Sequence, residues 1–73
     1  MIINAIIEKD ENGYFAFVPE LKGCVSQGDT FEEIKSNIKE AIEIYIESME
    51  EDELNTLISK DYTIAPIEVA IER

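Results

Sequence analysis

Residues 13–41 read GYFAFVPELKGCVSQGDTFEEIKSNIKEA, and this stretch decides the fold. It opens on Tyr14, Phe15, Ala16, Phe17 and Val18, an unbroken run of residues suited to a pleated surface. Side chains alternate along a strand, so Phe15 and Phe17 share one face while Tyr14, Ala16 and Val18 share the other. Both faces are apolar, which predicts a strand that is central or covered on both sides. Pro19 has no N–H to donate and closes that strand. Glu20-Leu21-Lys22-Gly23 then reads as a turn, and Cys24–Gly28 as a short third strand. Asp29-Thr30 opens a helix. Thr30 and Glu33 match the capping box, in which each side chain satisfies an orphan backbone N–H at the helix start. Glu32 and Glu33 also suit the positive end of the helix dipole.

Working outward, the helix is predicted from Phe31 to Met49. Phe31, Ile34, Ile38, Ile42, Tyr45 and Met49 recur at spacings of three and four, giving one apolar stripe. Glu33, Glu40, Glu43 and Glu47 lie on the opposite face, and Ile44 stands away from the stripe as a candidate contact with another chain. Upstream, Ile2, Ile3, Ala5, Ile6 and Ile7 form a first strand. The cluster Lys9-Asp10-Glu11-Asn12-Gly13 joins it to the aromatic strand as a β-hairpin. Downstream, an acidic run at Glu50-Glu51-Asp52-Glu53 precedes Leu54, Leu57 and Ile58, a short second helix. After Pro66, Ile67, Val69 and Ile71 alternate with Glu68, Ala70 and Glu72 as a last strand should. The predicted order is β-β-β-α-(short α)-β, an α+β layer with one main helix packed on a small sheet.

The chain has 73 residues, enough for one core and not two, so residues 1–73 read as a single domain. A core this small rarely supplies more than roughly 3–5 kcal/mol. Natural small domains compensate with disulfides, metals or self-association. One Cys and no His leave little for the first two, so a homodimer or higher homo-oligomer is expected and no metal or other cofactor is. Six Lys+Arg stand against 17 Asp+Glu, a formal net charge of −11. Such a field repels phosphate and anionic lipid, so neither nucleic acid nor membrane is an expected partner, whereas a basic protein is. The start, MIINAIIEKD, has no basic segment before its apolar stretch, and the chain reads as cytoplasmic.

The pattern of residues 13–41 closely resembles the antitoxin family called HicB. The matching positions are Tyr14, Ala16, Pro19, Leu21, Gly23, Cys24, Gly28, Asp29, Thr30, Glu33, Ile38 and Ala41. They make up an aromatic strand, a Pro-acid-Leu-x-Gly-Cys turn and a Gly-Asp-Thr helix start. The resemblance implies a partial ribonuclease-H-like fold and neutralisation of a small basic mRNA-cleaving toxin called HicA. Family members often carry a further C-terminal DNA-binding domain. This chain stops at Arg73 and leaves no room for one, so no separate DNA-binding domain and no autorepression by this polypeptide alone are expected.

A binding protein of that kind needs carboxylates to meet a cationic ribonuclease surface and apolar anchors to hold it. The candidates are Glu20 in the turn and Glu40, Glu43 and Glu47 on the outer helix face, with Tyr14 or Leu21 as anchor. No catalytic residue is assigned. The alternative from the enzyme class is a metal-dependent nuclease using Glu8, Asp10 and Asp29, and a third reading is an orphan acidic oligomer. Cys24 has no His or Cys to work with and reads as a small hydrophobe. The charge makes one outcome specific. The purified chain should show no sub-micromolar binding to duplex DNA by fluorescence anisotropy, even at low salt where phosphate contacts are strongest.

Overall fold

A computed structural model describes residues 1–72. It contains β1 (Ile6–Asp10), β2 (Gly13–Phe17), β3 (Val25–Gly28), α1 (Phe31–Glu47) and α2 (Glu51–Ser59). The strands form one antiparallel sheet in the order β1-β2-β3, so the aromatic strand is central as its sequence predicts. The hairpin is tighter than predicted. Lys9 and Asp10 join β1, Asp10 pairs with Gly13, and Glu11-Asn12 alone form the tip. The Asn12 N–H donates to Asp10 Oδ1 at 2.8 Å, a local bond that lets a short side chain stand in for backbone.

α1 lies across the inner face of this sheet. Ala16 on β2 and Ile34 on α1 are both 0% exposed, and Val18, Leu21, Cys24, Ile38 and Leu57 complete the core. Small residues on the sheet allow so close an approach. A Cβ added to Gly28 would lie 2.9 Å from the Ile34 nitrogen and 3.2 Å from its Cα. The Asn37 amide donates to the Gln27 carbonyl at 2.9 Å and ties the helix to β3. At the helix start, Thr30 Oγ1 accepts from the Glu33 N–H at 3.1 Å, a cap of about 1 kcal/mol. At its end the chain tightens before Met49: the Ser48 and Met49 N–H groups donate to the Tyr45 and Ile46 carbonyls at 3.2 and 3.1 Å. These three-residue bonds satisfy carbonyls that the helix would otherwise leave open.

Between β2 and β3 the chain makes two consecutive turns. The Leu21 N–H donates to the Val18 carbonyl at 3.1 Å, and the Cys24 N–H to the Leu21 carbonyl at 2.9 Å. Gly23 holds φ +83° at the third position of the second turn, where an L side chain would be strained. The Tyr45 hydroxyl donates to the Lys22 carbonyl at 3.0 Å, so the last turns of α1 grip this loop. α2 packs on the loop through Leu57, with Leu54 half-buried beside it. Its start is organised by Glu53, whose carboxylate accepts from the Glu50 N–H at 3.1 Å.

Two expectations need correction. The last strand is not formed: Ile67, Val69 and Ile71 lie in a segment without regular structure, and all are exposed. The observed order is β-β-β-α-α, and these elements do not establish the ribonuclease-H-like assignment. The first strand begins at Ile6 rather than Ile2, because β2 ends at Phe17 and offers no residue to pair with an earlier start. Of the two readings of the aromatic strand, the structure gives the central one: β2 is covered on one face only. Phe15 is 41% exposed, and with Phe17, Ile6 and Val25 it leaves the outer sheet face apolar and open.

The Gly28–Ile34 contact sets the spacing of the two layers. Gly28→Ala should destabilise the protein by about 1–3 kcal/mol, the usual range for overpacking a close contact. Thermal unfolding checks this, at roughly 4–8 °C in Tm per kcal/mol for a chain of this size.

Candidate functional site

The six candidate residues do not converge on one patch. Tyr14 sits at the hairpin end of the sheet, half-buried, with its ring 6.1 Å from that of Phe31 in an edge-on contact. Lys9 Nζ lies 5.6 Å from the Tyr14 centroid on its own strand pair. This ring is engaged inside the fold. Leu21 is 2% exposed and belongs to the core, so it offers no surface unless the loop opens. Glu20 lines a cleft between the loop and α2, together with Lys22, Asp52, Glu53 and Lys60. That cleft lies at the C-terminal end of α1, whereas Tyr14 lies near its start. Over 17 residues the two ends are separated by about 25 Å.

Glu40, Glu43 and Glu47 do share a ridge. All three are exposed, and a helical step of 3.6 residues puts them on the side of α1 away from the sheet. Glu40 borders a shallow depression with Ser26, Asn37, Ala41 and Ile44 on the β3 side. Glu43 faces the β1 side, beside Lys39. Ile44, 59% exposed, stands beside Glu40 on the β3 flank of the ridge. The ridge therefore presents carboxylates bordered on one side by an apolar side chain, an arrangement suited to contact with a cationic protein surface. Helical spacing sets Ile44 off the stripe but does not join it to these acids. Apolar residues on both faces of β2 give no sign of which face stays open.

The acids of the enzyme alternative are placed differently. Asp10 and Asp29 line one open cleft of about 550 Å³ at the hairpin end, with Glu33. Glu8 pairs with Phe15 on the outer face of the sheet and does not line that cleft. Asp10 is engaged with the hairpin tip, and Glu33 belongs to the capped first turn of α1. Among the described residues, no group of three or more acidic, Cys or His side chains is arranged to hold a metal ion. No described helix is long and apolar enough to cross a membrane.

With this geometry in hand, comparison with known proteins identifies the class. Residues 3–69 match the family model described as the HicB-like antitoxin of bacterial toxin–antitoxin systems. The chain belongs to that family. A UPF0150 protein of Helicobacter pylori is 67% identical over 70 residues, covering 96% of this chain and 97% of the relative. A UPF0150 protein of Synechocystis is 64% identical over 45 residues, 60% of this chain and 57% of its own length. One from Thermoplasma acidophilum is 54% identical over 50 residues, covering 67% and 72% respectively. No solved structure gives a significant match.

Cys24 is free and buried beneath α1, and loss of hydration pushes its thiol above the ordinary value of 9.0. The folded protein holds this proton at a pH where the unfolded chain releases it, so the thiol lowers stability as pH rises past 9.0. Comparing denaturant unfolding of the wild type and Cys24→Ala at pH 8 and pH 10 should show a smaller alkaline loss in the variant. A disulfide reagent should label the native thiol only slowly, at a rate that climbs with added denaturant.

Proposed function

We propose that this chain is the antitoxin of a type II toxin–antitoxin pair, and that it binds and occludes a small basic HicA-type mRNA-cleaving toxin. The observation that carries this reading is the family match across residues 3–69. The acidic ridge of α1 supports it physically. A ribonuclease surface must be cationic to hold phosphate, and an inhibitor competes by presenting carboxylates to the same groups. On this reading Glu40, Glu43 and Glu47 steer the encounter, and Ile44 supplies the apolar anchor in place of Tyr14 or Leu21. Glu20 lies off this ridge and contributes through the general field. The protein works in the cytoplasm as a single, non-catalytic module and as a homo-oligomer, without a DNA contact of its own.

Steering and anchoring separate in kinetics. Reversing Glu40, Glu43 and Glu47 to Lys should slow association at least roughly 10-fold at low salt, with the difference shrinking as salt screens the field. Ile44→Asp should instead speed dissociation, by about 10-fold for a loss of about 1.4 kcal/mol. Surface plasmon resonance against the protein encoded beside this gene, with a growth-rescue assay on co-expression, reads both effects. A neighbouring protein that cleaves no RNA, or that stays fully active with this chain in excess, overturns the proposal.

A further inference from the structure

Two unfilled requirements of this fold match each other. The first is a groove of about 470 Å³ along the free edge of β1. Ile3, Ala5 and Ile7 line its sheet side, while Ile38, Ile42 and Ile46 of α1 line its helix side. Lys35, Lys39 and Glu43 complete the lining, two cations to one anion on a chain whose formal net charge is −11. The second is the C-terminal segment. Ile67, Val69 and Ile71 are 77%, 68% and 75% exposed, and they alternate with Glu68, Ala70 and Glu72. Alternation without a sheet is a strand pattern without a partner.

The dimensions agree. From Ile38 to Ile46 the helix side of the groove is about 12 Å long. From Ile67 to Ile71 an extended strand spans about 13 Å. Added to the free edge of β1, such a strand would place its three branched side chains over the groove and turn Glu68 and Glu72 to the opposite, solvent side of the sheet. The segment leaves the body close by, since the Asn4 amide donates to the Tyr62 hydroxyl at 3.0 Å. Yet it runs outward. The radius of gyration is 14.8 Å, against about 11 Å for a compact chain of this length.

We infer that the groove receives the C-terminal segment of a second copy of this chain, and that two copies exchange these segments about a two-fold axis. Each copy carries one outward segment and one open groove, so a reciprocal exchange satisfies both at once, closes both β1 edges and leaves nothing to propagate. The like charge of the two bodies opposes the association, so the dimer should tighten as salt screens it.

Sedimentation of the full chain at micromolar concentration should report a dimer. Val69→Asp changes an exposed position, so its fold can be verified by circular dichroism, and it should weaken the dimer at least 10-fold. The arrangement itself is read by cross-linking in a Cys24→Ala background. A chain carrying Lys39→Cys, mixed and refolded with one carrying Val69→Cys, should give a covalent species of twice 8.3 kDa on oxidation. A chain carrying both substitutions should also link between copies. A monomeric wild type, a dimer indifferent to Val69→Asp, or a disulfide closed within one chain overturns the inference, the last by showing that the segment folds back onto its own groove. None of these measurements involves a toxin, so their failure leaves the antitoxin reading standing.

Discussion

The structure depends on the closure of α1 against the sheet where Ala16 meets Ile34, both without exposed surface. A small side chain at the centre of β2 and a glycine at the end of β3 let the helix settle onto the strands. Once that distance is set, the rest is constrained. The Thr30 cap fixes where the helix begins, and the Asn37–Gln27 bond fixes its position over β3. Tyr45, some four turns further on, reaches the Lys22 carbonyl and holds down the loop that carries Leu21 and Cys24 into the core. A short chain thereby gains order from a few polar bonds, each placed at an end of an element where backbone groups would otherwise face water unpaired.

The parts of this arrangement legible in the sequence are those governed by local rules. Thr30 announces the helix start through its side chain, and Pro19 stops β2 because it lacks a donor. The spacing of Ile34 and Ile38 gives the buried stripe directly. The less legible parts depend on what pairs with what. Ile67, Val69 and Ile71 carry a strand pattern, but no pattern within a segment can say whether an edge is within reach. Glu50 and Glu53 were hidden in an acidic run, although their spacing is that of a helix start. Leu21 fits two readings from sequence, core residue and apolar anchor, and the packing of the loop under Tyr45 decides for the core.

Charge is distributed as unevenly as packing. The outer face of α1 is acidic, with Glu40, Glu43 and Glu47 and with Ile44 at its β3 border, while Lys35 and Lys39 sit on the flank toward β1. The sheet's far side has Phe15, Phe17, Ile6 and Val25, with its charge confined to Glu8 and to Asp10 at the hairpin end. The two-layer body therefore shows three surfaces of different chemistry: an anionic ridge, a mixed groove and an apolar sheet face. A small protein with such surfaces can meet unlike partners by different means without one contact obstructing another.

The hold on α2 has a consequence of its own. Leu57 is the only described residue of that helix buried in the core, and the Glu50–Glu53 bond is internal to the helix start. α1 and β2, by contrast, share a dry contact at the centre of the molecule. Backbone amides of α2 should then exchange with solvent deuterium through a local opening far shallower than global unfolding, while those around Ala16 and Ile34 wait for the whole domain to come apart. Such an opening would carry the residues after Ser59 with it and lift the cover from Leu21. The molecule thus has two tempos, a slow centre and a quick end, and the quick end is the one from which its C-terminal segment extends.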